Sequence, residues 1–449
     1  MPRALVVAIL PVLVGTALAT MGSFESGATA AVPVCSVPLT LPAPPTDRPS
    51  YALRFRVARG LRDVSGTVAV SFRPEVATDR LVFRLWPNSP FYTRRGASLT
   101  VGAVTSGGSR LATSSPNATT LIVNRPLAAG ERLTLSMPWK LRLPRGDGFQ
   151  LRGGPSARLV SFFPVLAWDG GTWRTDAALK HADSFWPTSP TADFDVHVVV
   201  PRGLRVLATG SEVGSGHWRA QAVRDFALAI GSFAVKRQTI SLGRPVNLLV
   251  GVERGVIYAD AFLLDTVRAL RVYSQRYGAY PWSNYTVAVM RDFSVFSAMA
   301  YPTIGFFGPT SGVLVPHETA HQWFYSLVGN DQSRDPWLSE GLASWAQTVI
   351  EGSLATMNAT GIPAVARNRI GAPMSYWDRL GFQDLRLGVY VQTVQALSEL
   401  GPADSVDCAL RSFVVQNAYR TTVPRDLLTA LTPFFPAAEQ KLSARGAHF

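Results

Sequence analysis

The chain has 449 residues, 47% hydrophobic and only 16% charged, which excludes a disordered tail protein and leaves room for two or three domains. Its formal charge is +13, with only four lysines (140, 180, 236 and 441) among 43 basic residues. The basic side chains are scattered rather than clustered, which argues against a nucleic-acid partner.

The N-terminus opens with Pro2-Arg3, an apolar run from Ala4 to Ala19, and small residues Ala28-Thr29-Ala30 before Ala31. This pattern predicts an export signal peptide over 1–30, cleaved rather than kept as an anchor, because the run is short for a bilayer and holds Pro11 and Gly15. No later stretch is long and apolar enough to span a membrane, so the expected location is secreted or cell-envelope. Residues 31–50, with Pro42, Pro44, Pro45 and Pro49, read as an extended leader. Cys35 and Cys408 are an even pair compatible with one disulfide in an oxidising compartment, although sequence does not show that they meet.

From 51 to 245 apolar residues alternate. Val68/Val70/Phe72, Leu81/Phe83/Leu85, Leu133/Leu135/Met137 and Phe194/Val196/Val198/Val200 each predict a strand with one face inward. Arg54 and Arg56 alternate with Leu53, Phe55 and Val57, a solvated strand face. The direct expectation is an all-β, sandwich-like domain. His181, His197 and His217 lie here without metal-type spacing and read as ordinary strand or loop histidines.

The pattern changes over 246–449. Tyr258 to Tyr277 has helical periodicity with Gly278 as its stop, Tyr285 to Met290 reads as a strand, and a helix is expected close to Pro316. Within it, His317-Glu318-Thr319-Ala320-His321 sets two imidazoles one turn apart on a common face. Eighteen residues separate His321 from Glu340, which stands in Trp337-Leu338-Ser339-Glu340-Gly341 at the head of a second predicted helix running to Glu351. Two histidines and one carboxylate with a fourth position open form the catalytic rather than the structural arrangement for zinc. The expectation is one Zn2+ on His317, His321 and Glu340, with Glu318 as general base. Asp331 or Asp335 could orient a histidine through its second nitrogen.

His317-Glu318-x-x-His321, the eighteen-residue gap and Glu340 resemble the gluzincin signature, and Trp337-Leu338-Ser339-Glu340-Gly341 resembles the Trp-Leu-x-Glu-Gly of the aminopeptidase N family. The resemblance runs from about residue 45 to the C-terminus and is strongest over 277–400. It implies an α+β chain in which the β-domain leads a thermolysin-like, mainly helical zinc metallopeptidase domain acting on peptide or protein substrates. It also implies an oxyanion-stabilising tyrosine, placed at Tyr390, with Tyr376 the weaker candidate. The family's Lys and Gly after that tyrosine are Gln392 and Thr393 here. Ser297-Ala298-Met299-Ala300 stands where the family has the substrate-aligning Gly-x-Met-Glu, so Ala300 replaces the glutamate that binds the substrate's α-amino group. Hydrolytic machinery with altered recognition of the N-terminus is the expectation; the alternative is a non-catalytic zinc-containing surface or binding protein built on the peptidase fold.

Overall fold

The computed structural model describes residues 35–146, 148, 150–180, 189–256, 259–293 and 297–449. The signal segment 1–30, the start of the leader and His181 lie outside the described residues. Alternation in the first half does produce sheets. Ser50–Val57 (β1), Asp63–Phe72 (β2), Leu133–Arg142 (β3), Ala192–Val199 (β4) and His217–Val223 (β5) lie side by side in the order β5-β4-β1-β2-β3, within a nine-stranded sheet. β1 is antiparallel to β2 and parallel to β4. Along β1, Tyr51, Leu53, Phe55 and Val57 are buried while Arg54 and Arg56 face out.

A four-stranded and a three-stranded sheet complete the leading β-region. In the four-stranded one the expected one-sided pattern fails. Leu81–Arg84 is buried on both faces, Arg84 included. The Arg84 guanidinium lies over the Trp86 ring at 4.2 Å and donates to the carbonyls of Arg174 and Asp176 at 3.2 and 2.6 Å. Those backbone acceptors replace the water an exposed strand face would have provided.

The second half is built on a five-stranded sheet, Phe233–Ser241 (β6), Pro245–Glu253 (β7), Asn284–Val289 (β8), Ala298–Tyr301 (β9) and Ile304–Phe307 (β10), in the order β6-β7-β8-β10-β9. It reaches across residue 245, because β6 pairs β7 throughout its length. Helices follow: Ala259–Tyr277 (α1), Val315–Ala320 (α2), Glu340–Glu351 (α3), Gln392–Ser398 (α4) and Ala403–Asn417 (α5), with irregular chain between Thr360 and Pro373. α1 presents Phe262, Leu263, Val267, Leu270, Tyr273 and Tyr277 to the core. Tyr277 and Trp345 both donate to the buried Asp407 of α5, each at 2.8 Å, which fixes α1 and α3 on a common support.

Two features tie distant chain segments together. Cys35 and Cys408 are joined by a disulfide. The buried Arg224 guanidinium donates to the carbonyls of Ser189, Leu327 and Arg420 and to the Thr421 hydroxyl, clasping the β-region to the helical region. Among the described residues no helix is long and apolar enough to cross a membrane.

Candidate metal centre

α2 starts where proline costs least. Pro316 sits in the first turn, where its missing N–H leaves no bond unmade. The helix is short, and His321 already occupies its C-cap, with its N–H directed to the His317 carbonyl at 3.3 Å. The two imidazoles stand edge to face, centroids 4.8 Å apart. Glu340 heads α3, so its carboxylate enters from the opposite side: Oε2 is 3.2 Å from His317 Nε2 and 3.5 Å from His321 Nε2. Ligand atoms sharing one tetrahedral zinc at its usual bond lengths are about 3.3 Å apart. The donor set, the spacing and the burial of all three side chains (7–10% exposed) therefore fit one zinc ion.

The second nitrogen of His321 is held by backbone. Nδ1 lies 3.0 Å from the Phe324 carbonyl, so the ring donates there and turns Nε2 toward Glu340. Neither aspartate suggested for this duty performs it on His321. Asp331 accepts from the Ser333 N–H (3.0 Å) and hydroxyl (2.6 Å) and faces Arg174 and Arg334. Asp335 is half-buried near Asp331, and desolvation with the Asp331 carboxylate pushes its carboxyl up to about 6. The carbonyl does the job because α2 stops at His321 and the chain folds back within one turn. Tyr325 takes a positive φ of 134° there.

Charge in the centre is strongly coupled. Burial raises the Glu340 carboxyl, but the His321 and His317 imidazoles outweigh it and hold Glu340 well below the usual carboxylate range. Burial would lower His321; the Glu340 carboxylate reverses this and pushes it up to about 9. Glu318 is buried beside the pair. Desolvation raises its carboxyl, the histidines oppose that, and Glu340 adds to the rise.

Tyr390 lies on the same centre. It sits in a π-helical turn, Arg386–Val391, that leads into α4. Its ring stacks on His317 (5.6 Å, 12° between planes), and its hydroxyl lies in the field of the Glu340 carboxylate. Burial and the Glu340 and Glu318 carboxylates raise it well above its ordinary value, so it stays protonated and able to donate. Tyr376 is engaged elsewhere: its hydroxyl donates to the Val365 carbonyl at 2.6 Å.

Ala298, Met299 and Ala300 belong to β9, with Ser297 just before it. β9 is an edge strand, paired only with β10, so its second row of backbone donors and acceptors has no strand beside it among the described residues. Gln322, next to His321, fixes this strand to α2: its amide donates to the Tyr301 carbonyl at 3.1 Å and accepts from the Thr303 N–H at 2.8 Å. Gln322, Phe324 and Tyr325 were not foreseen from sequence. Only their proximity to His321 could have flagged them, since two of them act through backbone geometry.

A model of the peptidase family M1 domain matches residues 263–371. Aminopeptidase RNPEPL1 of Homo sapiens is 26% identical over 302 residues, 58% of this chain and 41% of that protein. Aminopeptidase B of Homo sapiens is 25% identical over 239 residues, 45% of this chain and 36% of that protein. The chain thus spans less than half the length of these relatives. The fold is shared more completely with an M1 zinc metallopeptidase from Deinococcus radiodurans, with a TM-score of 0.68 at 22% identity over 90% of this chain and 93% of that one. A mutant of that enzyme bound to a Tyr-Ser-Ala substrate gives 0.67 at 21% identity, over 90% and 95% of the two chains. Residues 263–371 thus carry a peptidase family M1 domain, and that match, the aminopeptidase relatives and the shared arrangement of a β-region leading a helical one support a place among the aminopeptidase N-like gluzincins.

Proposed function

We propose that the chain is an exported, zinc-dependent metallopeptidase that hydrolyses peptide bonds, with His317, His321 and Glu340 as ligands of one zinc ion. The observation that carries this reading is the convergence of these three buried residues' ligand atoms within 4.8 Å of one another, beside a second buried carboxylate, Glu318. Zinc bound there supplies Lewis acidity, which activates water near neutral pH and polarises the scissile carbonyl. Glu318 takes the proton of the attacking water and delivers it to the leaving amine. The Tyr390 hydroxyl donates to the carbonyl oxygen as negative charge develops on it. An extended peptide lies along the open edge of β9 through main-chain hydrogen bonds, past Ser297, Ala298, Met299 and Ala300. Ala300 offers no carboxylate to a free α-amino group, so strict end-trimming is not built in at that position. The Cys35–Cys408 disulfide supports an oxidising destination, and with it export through residues 1–30.

A zinc-binding but non-catalytic role is the competing reading, prompted by Ala300, Gln392 and Thr393. Gln392 and Thr393 argue less for it than their types suggest. Gln392 accepts from the Asn368 N–H at 2.7 Å and donates to the Ala366 and Gly388 carbonyls at 3.2 and 3.1 Å, and Thr393 packs on Gly341. Both brace the helix that follows Tyr390. Glu318→Gln separates the readings. It should keep zinc by metal analysis and lose roughly 100- to 10,000-fold in turnover of a mixed peptide pool. Unchanged hydrolysis would remove Glu318 from the mechanism, and a wild-type chain without zinc-dependent cleavage would establish the non-catalytic role.

A further inference from the structure

Histidines 197 and 217, unremarkable by spacing along the chain, are brought together by strand pairing. β4 and β5 run antiparallel with His197 directly opposite His217, and Asp195 lies two residues before His197 on the same face. That face is the outer one: Phe194, Val196 and Val198 point into the core between them. The two imidazoles stack with centroids 3.9 Å apart. Asp195 reaches both, with Oδ1 3.4 Å from His197 Nε2 and Oδ2 3.1 Å from His217 Nε2. These separations bracket the ~3.3 Å between neighbouring ligand atoms on a tetrahedral ion. They also nearly match the 3.2 and 3.5 Å of the His317–His321–Glu340 centre.

We propose that Asp195, His197 and His217 form a second, exchangeable site for a divalent transition-metal cation, outside the centre assigned to catalysis. Two imidazoles and one carboxylate suit Zn2+, Ni2+ or Cu2+, and disfavour Ca2+ and Mg2+, which take oxygen. Side-chain exposures of 38% for Asp195 and His197 and 20% for His217 leave room for the rings to turn toward one ion, with water completing its shell. The same exposure makes the ion exchangeable, unlike one buried in the His317 centre. Arg219 competes, holding Asp195 Oδ2 from Nε at 3.1 Å, and Arg54 lies opposite His197 on β1. These two cations weaken the site without occupying it. A bound ion would link β4 to β5 and stabilise that side of the nine-stranded sheet.

The test counts metal by difference, so its outcome does not depend on what the His317 centre does. The full chain is dialysed against Zn2+, and bound metal is counted beside His217→Ala and Asp195→Asn. Wild type should bind one equivalent more than either variant, while peptide hydrolysis by the variants stays unchanged. Arg219→Ala should tighten that equivalent several-fold by freeing Asp195. Cu2+ added to zinc-loaded wild type should give an electron paramagnetic resonance signal with two nitrogen donors, which His217→Ala loses. Equal metal counts in wild type and both variants, or a copper signal indifferent to His217, would overturn the assignment.

Discussion

Gly341, which follows Glu340 in α3, offers a sharp test of how the metal centre is held. A Cβ built on it would lie 2.6 Å from both Cγ2 and Oγ1 of Thr393 and 2.7 Å from its Cβ, against 3.4 Å for ordinary contact. The shortfall is 0.8 Å. Thr393 cannot yield it: the side chain is fully buried and β-branched, and its neighbour Gln392 is pinned by three hydrogen bonds. Gly341→Ala must therefore push α3 off α4, and Glu340 moves with it. Overpacking of this kind costs about 1–3 kcal/mol of stability. A displacement approaching 1 Å at a reacting centre costs up to roughly 100-fold in rate. Urea unfolding, zinc content and kcat/KM on one peptide should thus all fall in Gly341→Ala, with kcat/KM down ~10- to 100-fold. Thr393→Gly added to it should restore zinc binding, because it removes the three atoms nearest the new methyl. A folded Gly341→Ala with wild-type zinc affinity and kcat/KM would refute the reasoning.

Two further outcomes follow from other parts of the molecule. Burial pushes the Asp225 carboxyl up to about 7, so between its ordinary value and pH 7 the unfolded chain ionises while the folded one keeps its proton. Its contribution is therefore present in acid and lost as pH rises, by about 1.4 kcal/mol per unit. Asp225→Asn should lose about 2–3 kcal/mol less than wild type between pH 5 and 7 in urea unfolding; parallel curves would disprove it. Ala300→Glu should favour substrates with a free N-terminus over N-acetylated ones, read as a lower KM for the former. An unchanged ratio would show that β9 does not meet the substrate's amino end.

What was legible in the sequence was what local periodicity encodes. His317 and His321 share a face because one helical turn places them so, and β1 alternates because a strand must. Glu340 was reached by its chemistry, a carboxylate at the head of a second predicted helix completing a two-histidine set, and its eighteen-residue separation from His321 strengthened the reading through the family resemblance. Partners that act through backbone stayed invisible. The Phe324 carbonyl carries no residue-type signature, whereas Asp331 and Asp335 looked suitable and are occupied with one another and with Arg174 and Arg334. Arg84 and Arg224 were hidden for the same reason, being buried on carbonyls contributed by remote segments. His197 and His217 are twenty residues apart, and only strand register makes them neighbours.

The bond between Cys35 and Cys408 has a consequence for how the molecule is made. Its sulfurs lie 373 residues apart, and no other cysteine occurs in these 449 residues. Scrambling within one molecule is therefore ruled out, and the only erroneous product is a covalent link between two molecules. Until α5 has been synthesised, the Cys35 thiol waits alone. Dilution during oxidative refolding, rather than a disulfide isomerase, is what should raise the yield of correctly closed monomer.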